Sequence, residues 1–161
     1  VGWHLSPGPG TALSAAPALL HVETARNIIG VSAGQMFDLI EDLRFGYVFD
    51  IHAGPVPTRR EMRIWKQSLI DYIEEPERAW RHYMGSDAGQ ALAALQQILP
   101  CAPQLSTPDL ARTFSCSISL IHALTDGGQL IAANERLWQP GTCQRITRAS
   151  AIEFLRRRRL A

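Results

Sequence analysis

Residues 22–45, VETARNIIGVSAGQMFDLIEDLRF, lie over residues 107–130, TPDLARTFSCSISLIHALTDGGQL, when the chain is shifted by 85 positions. Identities are few, but the physical pattern keeps register. Ile29 falls on Phe114, Val31 on Cys116, Ser32 on Ser117, Met36 on Ile121 and Leu39 on Leu124. Further on the shift becomes 82, and RIWKQSLIDYI (63–73) lies over RITRASAIEFL (145–155). There Arg63 meets Arg145, Ile64 meets Ile146, Ser68 meets Ser150, Ile70 meets Ile152 and Tyr72 meets Phe154. A change of length confined to the stretch between two matching blocks is what a variable surface loop produces. The reading is a duplication, and a repeat of this kind constrains the fold more than any single element does.

Each copy reads in the same way. A short first helix is expected over 22–29 and over 107–114, with Glu23 and Asp109 placing acid where the helix dipole favours it. Thr107 followed by Pro108 is a natural helix start. Gly30 ends the first helix of copy one, and Ser115 takes that place in copy two. Ser32 and Ser117 are expected to cap a second helix. In that helix Met36, Leu39 and Ile40, or Leu120, Ile121 and Leu124, recur at spacings of three and four and form one apolar stripe. Two strands should follow, YVFDI (47–51) with EMRIW (61–65) and LIAAN (130–134) with QRI (144–146), joined by connections containing Pro and Gly. A closing helix is expected over 66–73, capped at Gln67 or Ser68, and over 148–155, capped at Thr147.

Working outward, residues 1–18 contain SPGPGTALSAAP and read as a disordered tail, too poor in large apolar groups to offset chain entropy. Residues 19–75 form copy one, 76–104 a helical linker and 105–161 copy two with a basic C-terminal end. In the linker, PERAWRHYM suggests a short helix from Pro76. DAGQALAALQQIL (87–99) suggests a second helix with Leu92, Leu95 and Leu99 on one face, able to dock the copies together or to pair with another chain.

Of the 161 residues 46% are hydrophobic, enough for a packed core. The chain lacks an apolar run of about 20 residues and a secretory leader, so a soluble, cytoplasmic protein is expected and no membrane partner. Cys101, Cys116 and Cys143 have neither disulfide-framework nor zinc-site spacing. No phosphate loop, metalloprotease helix or nucleophile elbow is present, so neither catalysis, cofactor nor metal is expected. The net charge is only +1, but its distribution is uneven. Residues 20–75 carry six basic against nine acidic groups, and residues 105–161 carry eight basic against four acidic. Attraction to a polyanion depends on where positive charge sits, which favours copy two.

The runs ARNIIGVSAGQMFDLIEDLRF and ARTFSCSISLIHALTDGGQL, each followed by an Arg-Ile strand and a closing helix, resemble the winged helix-turn-helix domain of the excisionase and MerR-like class. The fold expected from this resemblance is mainly α with small β-hairpins (α+β), as two tandem winged helix-turn-helix domains joined by a helical linker.

The resemblance implies that each second helix enters the major groove of DNA while the hairpin wing touches backbone or minor groove. Groove-facing positions would be Ala33, Gly34, Gln35 and Asp38 in copy one, and Ile118, Ser119, His122 and Ala123 in copy two. Neither second helix carries Arg or Lys. The basic residues gather around the wings instead, as Arg59, Arg60 and Arg63 in copy one and Arg136, Arg145 and Arg148 in copy two, with Arg156 to Arg159 closing the chain. Trp65 is expected in the core, and Trp138 sits in a turn-like loop.

The resemblance thus implies a sequence-specific, nucleoid-associated DNA-binding protein, a transcriptional regulator or an excisionase-like recombination accessory factor. Ser117, Ser119, His122, Arg136, Arg145 and Arg148 would make its main contacts. Gln35 and the arginines of the first wing would add to them. The alternative is a protein–protein interaction module derived from the same fold, motivated by Asp38, Glu41 and Asp42 on the second helix of copy one. In that case a protein partner would replace DNA. Under either reading the 76–104 linker is a candidate for pairing with a protein partner or with a second copy of the chain.

Overall fold

The structure, a computed structural model, describes residues 13–55, 61–77, 88–133 and 144–160. In chain order its elements are β1 (Leu19–His21), α1 (Val22–Ile29), α2 (Ala33–Glu41), β2 (Val48–Asp50), β3 (Met62–Trp65) and α3 (Lys66–Glu74). They continue with α4 (Ala88–Ile98), β4 (Gln104–Ser106), α5 (Thr107–Thr113), α6 (Ile118–Asp126), β5 (Arg145–Thr147) and α7 (Arg148–Arg158). The architecture is α+β: helices packed on two small antiparallel sheets, one ordered β1-β3-β2 and one pairing β4 with β5.

The backbone of the first unit recurs in the second at the spacing read from the sequence. Gly30, which ends α1, has a φ of 75°, and Ser115 in the equivalent place has a φ of 51°. Val31 N–H donates to Arg26 O at 3.1 Å, as Cys116 N–H does to Ala111 O at 3.0 Å. After the second helix, Leu43 (φ 57°) and Gly128 (φ 77°) both turn left-handed. There Arg44 N–H reaches Leu39 O at 3.0 Å and Gln129 N–H reaches Leu124 O at 2.8 Å. Leu19 pairs with Trp65 as Gln104 pairs with Thr147. These terminations satisfy carbonyls that a helix end leaves unpaired.

The caps follow the residue chemistry. Ser32 accepts from Gln35 N–H while the Gln35 side chain accepts from Ser32 N–H, a reciprocal capping box. Ser117 and Thr147 cap α6 and α7 in the same sense. Two starts differ from expectation. Ser106, not Thr107, caps α5, with Thr107 and Pro108 inside its first turn. At α3 the cap position is Trp65, with no side-chain cap, and Ser68 Oγ donates back to Trp65 O at 2.7 Å.

Three larger differences lie in what packs against what. First, each unit opens with a strand, β1 or β4, that the sequence pattern did not signal. Three residues are too few for an alternation to be read, and pairing with β3 or β5 alone makes them strands. Second, part of the expected tail is structured: Leu13 is fully buried against the first unit's core, and Lys66 Nζ donates to Ala16 O at 2.9 Å. Third, the apolar side of α4 is Ala94, Leu95, Ile98 and Leu99, while Leu92 is 46% exposed. Packing against α7 selects that side.

The three-stranded sheet is buried on both faces. Leu20, Val48 and Ile64 face the first unit's own helices with Val22, Ala25, Met36, Ile40 and Leu69. Leu19, Phe49 and Trp65 face the other way and share one core with Leu95 and Ile98 of α4 and Leu110, Phe114, Ile121 and Phe154 of the second unit. Alternation along each strand sends neighbouring side chains to opposite cores. The first unit's sheet is therefore a middle layer rather than a free wing.

Candidate nucleic-acid interface

The turn between α5 and α6, capped by Ser117, and the outer side of α6 form one exposed surface. Burial of Ile121 and Leu124 fixes which side of α6 faces inward. The opposite side carries Ile118, Ser119, His122 and Ala123, all exposed, with Ile118 at 47%. These four are the positions that the resemblance would turn toward a groove. Ser117 is also exposed, and its hydroxyl accepts from Leu120 N–H at 3.1 Å. Arg145 is exposed on β5.

The other expected contacts are distributed differently. Ala33, Gly34, Gln35 and Asp38 are exposed on α2, but the Gln35 amide oxygen is taken by Ser32 N–H at 2.9 Å. Arg148 is half-buried and holds the end of α4, donating from Nε to Pro100 O at 3.1 Å and from Nη2 to Gln96 O at 2.7 Å. Arg59, Arg60, Arg136 and Trp138 lie outside the described residues, as does Cys143. Trp65 is buried, with Tyr47 edge-on to it at 5.4 Å between ring centroids.

Arg63 does not project outward as expected of a wing arginine. It is 3% exposed, and its guanidinium donates from Nε to Phe114 O at 2.9 Å and from Nη2 to Ser115 O at 3.0 Å. The second unit's turn has carbonyls that α5 leaves unpaired at its C-terminal end, and a buried guanidinium satisfies two of them at once. Ser115 completes the junction by donating from Oγ to Leu19 O at 2.5 Å.

The terminal arginines are also engaged within the chain. Arg159 pairs antiparallel with Phe49 at the outer edge of β2, Leu160 N–H donates to Val48 O at 2.7 Å, and the Arg159 guanidinium lies 4.1 Å from the Tyr47 ring centroid. Arg158 Nη1 lies 2.9 Å from His52 Nδ1, itself 2.7 Å from Asp50 Oδ1. Arg156 pairs with Glu153. Closing an edge strand with the segment that follows α7 removes a template for strand addition.

Beside the N-terminal end of α6, an open cleft of about 650 Å³ runs between the units, lined in part by His21, Glu61, Arg63, Arg112 and Ser117. Partial burial and the Arg63 charge lower the pKa of His21, partly offset by a hydrogen bond to the Ser115 backbone. Burial raises the Cys116 thiol to about 11, against the opposing influence of Arg63. Arg112 is an exposed cation in the last turn of α5, 3.7 Å from Asp109 Oδ1, that the sequence reading passed over although its place just before the turn into α6 was visible.

Among the described residues no group of His, Cys, Asp and Glu could hold a metal ion, and no helix is long and apolar enough to cross a membrane. Comparisons with protein families, with curated proteins and with solved structures find no match to this chain.

Proposed function

We propose that the protein binds double-stranded DNA, as a transcriptional regulator or an excisionase-like recombination accessory factor associated with the nucleoid. The supporting observation is the exposed face of α6. Ile118, Ser119, His122 and Ala123 point away from a core fixed by Ile121 and Leu124, at the end of a serine-capped turn. A second helix presented in this way fits the major groove, and hydroxyl and imidazole groups there can meet base edges. Arg112 and Arg145, exposed in the same unit, supply charge for phosphates. In this reading the units are two domains of the winged helix-turn-helix class, the first with its sheet covered by the second unit.

The test is fluorescence anisotropy of the full chain with labelled duplex fragments. With roughly four phosphate contacts, affinity should fall roughly 100-fold between about 50 and 200 mM salt. No binding at the lower salt would remove the proposal.

A protein-binding role for the first unit is the second reading, favoured by the exposed carboxylates Asp38, Glu41 and Asp42 on and after α2. A protein partner captured through these groups by a chain without DNA affinity would support it. The linker helix α4 turns Leu95, Ile98 and Leu99 into the chain's own core. That face is not offered to a second copy.

A further inference from the structure

We infer that the chain reads one half-site of duplex DNA, with α6 alone in the major groove and α2 outside it. The inference rests on the DNA-binding reading above and narrows its target. A duplicated reader would enter the groove with both second helices and need two half-sites about one helical turn, ~10 base pairs, apart.

The two helices occupy equivalent places in the repeat and both lack a basic residue in the last turn, but they differ in acidic charge. The exposed side of α2 carries Asp38 and Glu41, with Asp42 directly after the helix and no basic residue in its last turn. Its one long polar side chain at the N-terminal end, Gln35, is occupied by the capping box. Carboxylates pressed toward phosphates are repelled, and the low-dielectric groove wall strengthens that repulsion. The exposed side of α6 has no charged group before Asp126 at its end.

The arginines divide in the same way. Arg145 is exposed in the second unit, whereas its equivalent, Arg63, is buried and bonded to the turn that precedes α6. Together with Ser115 on Leu19 and Arg159 on Phe49, this makes the first unit a support that holds the second unit's turn in place. The duplication has left one copy to read and one to position.

The experiment is selection by the full chain from a pool of random-sequence duplexes, followed by anisotropy on the selected duplex. One contiguous block should emerge. Ser119→Ala combined with His122→Ala should weaken binding at least about tenfold. Asp38→Ala combined with Glu41→Ala should leave the block unchanged and either tighten binding or change it by less than about twofold, since only a screened repulsion is removed. All four positions are exposed, and a thermal melt of each variant shows that it folds. Two blocks one helical turn apart, or a block altered by the α2 variant, would overturn the single-site inference and leave DNA binding standing. A pool that shows no salt-dependent retention would remove the DNA reading and this inference with it.

Discussion

Arg63 Nε donates to Phe114 O at 2.9 Å across 51 residues of sequence, joining the first unit's central strand to the turn before α6. The bond is buried, and a second one from Nη2 to Ser115 O runs beside it. Removing the side chain leaves the carbonyls of Met62, Phe114 and Ser115 without this donor and opens a gap in the junction. Arg63→Ala should lower the unfolding free energy by about 2–4 kcal/mol in urea titration of the whole chain. Arg63→Lys should recover only part of this, because a single ammonium does not reproduce the fork. Arg145→Ala, at the equivalent exposed position, should stay within about 0.5 kcal/mol. Equal losses at the two arginines would contradict the arrangement.

Gly30 and Gly128 both have positive φ, and nothing lies within 4 Å of where a Cβ would stand at either. The cost of Ala at these positions is therefore purely conformational, about 1 kcal/mol each. Gly34 sits in the first turn of α2 without a positive φ, and a Cβ there would lie in ordinary contact, 4.0 Å from the Ser32 hydroxyl. Gly34→Ala should accordingly stabilise the chain by about 0.5–1 kcal/mol. Thermal melts of the three variants check the contrast, which fails if all three shift in one direction.

Arg159 lies over Tyr47 while its backbone pairs with Phe49. A double-mutant cycle of Arg159→Ala and Tyr47→Leu should yield a coupling of roughly 0.5–2 kcal/mol, as for a guanidinium on a partly desolvated ring. A coupling indistinguishable from zero would show that the Tyr47 ring adds nothing to the hold on this segment.

His21 has a folded-state pKa below its ordinary value, first through burial and then through the Arg63 charge. The unfolded chain then binds a proton more readily than the folded one. Stability from this group is full above the ordinary histidine pKa of about 6.5 and declines as pH falls below it toward the folded value. His21→Gln should flatten the pH dependence of the melting temperature below neutrality. An unchanged slope would remove His21 as its source.

Cys101 is exposed, whereas Cys116 is partly buried with its thiol raised to about 11. Thiolate is the reactive form, so Cys116 is almost wholly unreactive at neutral pH. In a Cys143→Ser background, a thiol reagent should label Cys101 rapidly and Cys116 slowly. The slow site should accelerate on denaturation. Equal rates in the native chain would mean that the junction around Cys116 opens freely.

The strand expected over 130–134 is, among its described residues, only a bridge from Ala132 to Ile146. The rest of the local unit, a helix, a break, a serine-capped helix, hairpin strands and a closing helix, could be read from the residues, as could its recurrence 85 residues on. These features rest on groups a few residues apart, such as Ser32 with Gln35 or Gly30 with Arg26, so short-range chemistry suffices to read them. The exposed side of α6 was legible for the same reason, since helical periodicity separates Ile121 and Leu124 from Ser119 and His122. Long-range packing settles the strands β1 and β4, the burial of both faces of the first sheet and the docking of Arg158 to Leu160 on β2. Each depends on a partner far along the chain. Arg63 and Arg145 are equivalent by pattern, yet one is buried and one exposed. A residue's own sequence neighbourhood carries no record of which surface another unit will cover.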